Sequence, residues 1–543
     1  MKINSIEPLE SRIAPAAVAI DTTHHLATWT DFDGDLVTLK YSSADAPAFA
    51  ASDNGMGLLV DKITLNAADH SDAAFTLSVK AAGGGDGHID LGRIDAKGVP
   101  LKSWKSPAAT IAEIDCGGVG TFVSGTLGAV PYSKFNNTGG DGNSVIDGNV
   151  NSFTVLGDVA AAAVFIQSSG KVGAVKIAGS LRGDAPSNLT FSGYVGVTAS
   201  SLGSLFLGGS IIGGDDSLDG GLQTNQALTG KVTVLGSLVG GSGLASGTLQ
   251  ISGAKTVVIR GDVIGGSGVQ SGGVNLANSG IVNIGGSVIG GTKDYSGEIN
   301  AQSVSSLTIK GSVIGGANTA ALNNLPVGAV NITGDLKTFS LGGDLVAGSY
   351  GSGNKVSYNG ALLVGGNLGS AAIKGSIIGH DGYQAIVMAG GTAPATPGNY
   401  NAIGKLTVGG SVSYGYIAAG QTAGLVTPFA DRIGTAENPD AGIGSVRVGG
   451  DWFHSNLSAG INDASTNGLQ STDTRDMGDA ARQAVIGPVA IKGFVLDNPD
   501  ALGFSGFVAE KIASLTEHGV KVFKSGDAAR SLDSHGYVDV AEI

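Results

Sequence analysis

A ten-residue phrase recurs at a fixed interval in this chain, and that interval limits the possible folds more than any other feature. VTVLGSLVGG around Gly236, VVIRGDVIGG around Gly261, VNIGGSVIGG around Gly286 and LTIKGSVIGG around Gly311 follow one another every 25 residues. Looser copies place the same glycine at 157, 179 and 209 upstream and at 343, 375, 410, 450 and 493 downstream, which makes twelve copies. A repeat of this length is a unit that cannot bury its apolar face alone and must stack on its neighbours.

Each copy carries two apolar columns. Val155, Ile177, Leu207, Val234, Ile259, Ile284, Ile309, Leu341, Ile373, Val408, Val448 and Ile491 form the first, and Phe153, Val175, Leu205, Val232, Val257, Val282 and Leu307, two residues earlier, the second. Apolar residues at a period of two, many of them β-branched, mean a strand with both columns facing one core. The residues between them vary freely, as solvent-facing positions do. A further short strand at Gln250, Asn275, Asn300 and Asn331 precedes the phrase, and its amides are expected to hydrogen-bond from coil to coil. Three short strands and three turns per repeat predict an all-β chain built as a long, right-handed parallel β-helix. No 3.6-residue apolar period supports helical repeats.

The glycine falls where the chain turns a corner, through positive φ or through close approach to the coil above. Serine or aspartate follows it at Asp158, Ser180, Ser210, Ser237, Asp262, Ser287, Ser312, Asp344, Ser376, Ser411 and Asp451. Short polar side chains at a corner bond to turn backbone and stack coil on coil.

A chain of 543 residues with 92 glycines and only 14% charged residues could be low-complexity, but 42% hydrophobic residues at fixed repeat positions argue for a packed core. A net charge of -14 disfavours nucleic acid and anionic membrane, which need a basic face. No apolar run approaches the ~20 residues of a membrane span. The single cysteine, Cys116, excludes an intramolecular disulfide framework.

Upstream of the coils, TWTDFDGDLVTLKY (28–41) alternates on either side of Asp33-Gly34, which predicts a hairpin. With LLVDKITL and AFTLSVKA it predicts a small β-sandwich over 21–85, followed by the β-helix over 86–510. LTEHG (515–519) reads as one more copy with Glu517 in the aliphatic slot, so 511–543 is expected to be a degenerate last coil and cap. Trp452 and Phe494 are expected to widen the core of the last coils. The glycine spacing grows to 32, 32, 35, 40 and 43 residues downstream, and the excess predicts loops over 380–404, 415–444 and 455–487.

Residues 1–20 form a sorting-like segment but a poor secretory signal, with a short apolar stretch broken by Pro15. EPLESRIAPAA resembles the Leu-Glu-Pro-Arg type of N-terminal segment on large β-rich envelope proteins of verrucomicrobia and planctomycetes, with Glu-Ser-Arg at 10–12 in place of Glu-Pro-Arg. ATWTDFDGDLVTLK, GDGHIDLGRIDAKG, the GSVIGG coils, GDWFHSNLSAGIND and GFVAEKIASLTEHGVKVF occur in the same order as in those surface proteins. That family has no established activity, so the resemblance implies an extracellular or envelope location and little chemistry.

Asp31, Asp33 and Asp35 offer hard oxygen ligands for calcium. A hairpin explains Asp33-Gly34 without metal, and an EF-hand is excluded because loop position 12 is Ser42. No other cofactor is called for. Asp215, Asp216 and Asp219 read as a solvated acidic loop, and Asp262, Asp344 and Asp451 as turn residues equivalent to the serines. The outward column Thr233, Val258, Asn283, Thr308, Ser340, Ala372 and Thr407 lacks the carboxylates that glycosidic chemistry needs. Tyr416, Phe429 and His454, placed on the predicted loops, are the residues best suited to stack on a sugar or a partner side chain. The expected function is therefore a non-catalytic structural, surface-coat or adhesive role, with envelope glycan, a surface protein or other copies of the chain as partners. The alternative is a carbohydrate-active enzyme or glycan-binding module acting through the C-terminal loops.

Overall fold

The computed structural model describes residues 17–53, 57–128, 141–183, 191–226, 228–318, 325–350, 358–380, 383–396, 398–421, 438–462, 474–475, 478–479, 481–498, 505–532 and 538–543. The chain is nearly all β, and parallel pairing dominates. The one helix among the described residues is the single turn Ala67–His70. The chain divides into two compact units, residues 1–178 with 198–200, and residues 179–197 with 201–543.

The first unit opens with antiparallel strands. Leu26–Thr30 and Leu36–Tyr41 close around Asp33-Gly34 with Thr30 opposite Leu36, the hairpin expected from the Asp-Gly signal. Ala74–Lys80 pairs antiparallel with Leu36–Tyr41, then parallel with Leu101–Cys116. Leu58–Thr64 likewise pairs parallel with Ile89–Ala96. Hydrogen bonding thus runs from the hairpins into the first parallel strands without a gap near residue 86. Val155 and Ile177 then stand in register, both buried.

In the second unit most described strands pair in parallel with their counterparts one repeat later, so the chain winds in stacked coils. The first apolar column runs unbroken as Leu207, Val234, Ile259, Ile284, Ile309, Leu341, Ile373, Val408, Val448, Ile491 and finally Glu517. Every aliphatic member is at most 1% exposed. Glu517 ends the column as a cap: its Oε1 accepts the backbone N–H of Val495 at 2.8 Å, and the strand Lys511–Glu517 turns back antiparallel into Val520–Lys524.

The corner glycines are required by close approach and not by φ. A Cβ on Gly261 would sit 2.2 Å from Ser237 Oγ and 2.7 Å from the Gly236 carbonyl oxygen. The residue after each glycine builds a ladder: the backbone N–H of Ser237, Asp262, Ser287 and Ser312 donates to the side-chain oxygen of Ser210, Ser237, Asp262 and Ser287 at 2.7–3.1 Å. The ladder continues through Asp344, Ser376, Ser411 and Asp451 to the N–H of Phe494. Serine and aspartate alternate freely because each rung needs only one acceptor oxygen.

Two expectations on the last coils need correction. Trp452 fills the core, its ring tilted against Phe507 at 4.9 Å and its indole N–H donating to Ser455 O, but Phe494 is 50% exposed. Phe494 follows Gly493 directly and so occupies the outward serine/aspartate slot, where it stacks on His518 at 4.7 Å. The predicted loops also overlap strands, because Gly415–Ala419 and Asn456–Ala459 are paired elements.

Candidate functional site

The aspartate triad lies at the hairpin of the first unit. Asp31 folds the turn: its Oδ1 accepts the N–H groups of Gly34 at 3.1 Å and Asp35 at 2.8 Å. Asp35 reaches across to 82–87, where its two oxygens accept the N–H groups of Ala82 at 3.0 Å and Gly87 at 2.5 Å. Gly85 is required beside it, since a Cβ there would lie 2.0 Å from Asp35 Oδ1. One oxygen of each of Asp31, Asp33 and Asp35 falls within 4.8 Å of the others, and Asp31 and Asp35 are buried. Burial, the Asp33 hydrogen bond and the neighbouring negative charges raise the Asp31 carboxyl to about 7, while that same hydrogen bond lowers Asp33. Asp33 Oδ1 is buried without a hydrogen-bond partner, and with Asp31 Oδ2 it offers the oxygens not engaged by backbone. Asp35 clamps the hairpin to 82–87, and each of its oxygens keeps a lone pair for a cation.

Of the three residues proposed for ligand stacking, the structure describes two, Tyr416 and His454, and buries both. Tyr416 lies on the strand Gly415–Ala419, 3% exposed, in a second apolar cluster with Tyr358, Leu363, Ile386, Met388 and Ile461. It cannot stack on a ligand as the predicted loop required. Phe429 lies outside the described residues. His454 is at a corner with φ 38°, not on a loop tip, and is buried. Its Nδ1 meets Asp497 Oδ1, its ring lies 5.1 Å from Tyr414, and the Tyr414 hydroxyl accepts from Asn498 at 2.9 Å.

The other carboxylates read as scaffold. Asp219 is buried and raised by that burial, and it accepts the N–H groups of Ser192 at 2.7 Å and Asp216 at 3.1 Å. Burial pushes the Cys116 thiol up to about 12, which suits a packed side chain and not a nucleophile. Two buried acidic groups carry no legible sequence signal. Arg93 bridges Glu113 at 2.9 Å and Asp115 at 2.5 Å beside a cavity of about 350 Å³, a juxtaposition set by the register of the first coils. Glu298 is 3% exposed with Oε1 unpaired, and burial raises it to about 8 against the hydrogen bond from Asn331.

Glu298 makes the protein's stability depend on pH. Below 4.5 its carboxyl is neutral folded and unfolded. Between there and about 8 the unfolded chain loses the proton and the folded chain keeps it, so stability falls as pH rises and levels off beyond. Glu298→Gln should flatten that slope in chemical denaturation measured from pH 5 to 9 and leave the variant more stable at the alkaline end, by at most roughly 5 kcal/mol. An unchanged slope would remove Glu298 as its source.

No protein-family model, curated protein or solved structure matches this chain. Among the described residues no helix is long and apolar enough to cross a membrane.

Proposed function

We propose that this is a non-catalytic protein of the cell envelope or the extracellular space, with a structural, surface-coat or adhesive role. In this reading the coils form a right-handed parallel β-helix, a small N-terminal sandwich precedes it, and envelope glycan, surface proteins or further copies of the chain are its partners. The observation that carries the reading is the corner ladder. From Ser210 to Phe494 the chain invests its repeated polar side chains in joining coil to coil. The outward column supports it as well: Thr233, Val258, Asn283, Thr308, Ser340, Ala372 and Thr407 stack in register with no carboxylate among them. Purified protein incubated with neutral and acidic polysaccharides should release no more reducing ends than a heat-denatured control. Turnover of any of them would overturn the non-catalytic assignment.

Calcium at the hairpin belongs to the same proposal, with Asp31, Asp33 and Asp35 as its ligands and water completing the shell. The raised Asp31 carboxyl must lose its proton to bind a cation, so affinity should rise from pH 5 to pH 8. Titration calorimetry of the full chain should give a heat that Asp33→Asn abolishes. No heat at pH 8 would leave the hairpin as a turn held by Asp31 alone.

A further inference from the structure

On the second unit, Gln223, Gln250, Asn275 and Asn300 stand in register on four successive coils, alternating with buried residues, and so face outward. They line an open groove of about 400 Å³. Coil-to-coil bonding is seen where Asn331, the next amide of the column, bonds Glu298 of the coil before, but these four amides do not bond one another. Gln223 accepts from the Tyr194 hydroxyl at 2.7 Å, and Gln250 donates to Thr248 at 3.3 Å. Among the described residues the side chains of Asn275, Asn300 and Gln302 make no hydrogen bond, so their donors and acceptors open into the groove.

The same column continues through Asn331 to Leu363, Met388, Ala418, Ser458 and Val508. There its chemistry changes together with its surroundings. Leu363, Met388, Ala418 and Val508 belong, with Tyr358, Tyr416 and Ile461, to one buried apolar cluster. The amide stretch is therefore the uncovered part of a face that the chain covers elsewhere with its own residues.

We infer that this amide groove binds a neutral, hydroxyl-rich polymer, a glycan chain lying across successive coils. Among the described residues none that lines the groove is charged, although the chain carries 45 acidic and 31 basic residues, so charge does not select the ligand. A peptide cannot join by strand addition, because the backbone groups here are spent in parallel pairing on both sides. Amides supply a donor and an acceptor together and repeat every ~4.8 Å, which suits hydroxyls that repeat along a polymer. Ala277 and Ser252 beside them keep the groove shallow and open along its length.

The test is affinity electrophoresis of the full chain in gels containing hydroxyethylcellulose, a neutral β-glucan or, for comparison, polygalacturonate. At least one neutral polymer should retard the protein, and added salt should leave that retardation unchanged. Asn275→Ala with Asn300→Ala should weaken binding by about tenfold or more. Ala277→Trp, which fills the groove and leaves both amides in place, should do the same, with melting of both variants near wild type because these positions face outward. Retardation by polygalacturonate alone, by no neutral polymer, or undiminished in both variants would overturn the assignment. So would concentration-dependent self-association that the double variant abolishes, which would make a second copy of the chain the occupant. None of these outcomes bears on catalysis, which the reducing-end assay tests by itself.

Discussion

Replacing Ile284 by aspartate is expected to destabilise the second unit by more than about 4 kcal/mol, because it puts an unpaired carboxylate into a column with no polar partner. Ile284 is fully buried between Ile259 and Ile309, its register partners on the coils either side. Three residues earlier in the same strand, Ile281 is 47% exposed, and Ile281→Asp should stay within about 1 kcal/mol of wild type. In a repeat protein each unit is held by its neighbours, so the damage should first show as protease cleavage near the altered coil. Equal melting of the two variants would mean that the columns do not face as assigned.

The second large effect is expected at Gly265. A Cβ there would lie 2.5 Å from Gly291 N, 2.7 Å from Gly297 N and 2.7 Å from Ser296 C, all backbone atoms of the next coil. They belong to the tight turn before Ile299–Ile309, where the Gly297 N–H is held by Ser271 O of the coil before, so Gly265→Ala should cost upward of about 3 kcal/mol. Gly273 is the matched control. Its added Cβ would meet nothing closer than 3.4 Å and its φ is not positive, so Gly273→Ala should be nearly neutral. Thermal melting of the two variants side by side decides it, and a mild Gly265→Ala would show that the coils are not packed this closely.

The columns could be read from sequence because two periods coincide in them, two residues within a strand and 25 between coils. Glycine spacing alone could not place the inserted residues. Forty residues separate Gly410 from Gly450, but nothing in that number says where along the coil the excess leaves. Gly415–Ala419 is buried at every position, since the inner core takes one face and the second apolar cluster the other. Such a strand shows no alternation, and so Tyr416 read as a loop residue. Arg93 with Glu113 and His454 with Asp497 are pairs of single residues joined only by coil register, without a recurring pattern to mark them. The amides of the groove were visible as a column. Their bonding was not, because sequence cannot tell whether stacked amides turn toward one another or outward.

The most direct measurement of the central claim is localisation in the native cell. Cells and medium are fractionated, and intact cells are treated with a protease too large to enter. A structural or adhesive envelope protein should appear in the envelope fraction or the medium, and the cell-bound portion should be cleaved on intact cells. Recovery of the chain wholly in the soluble cytoplasmic fraction, protected from protease until the cells are lysed, would contradict the account.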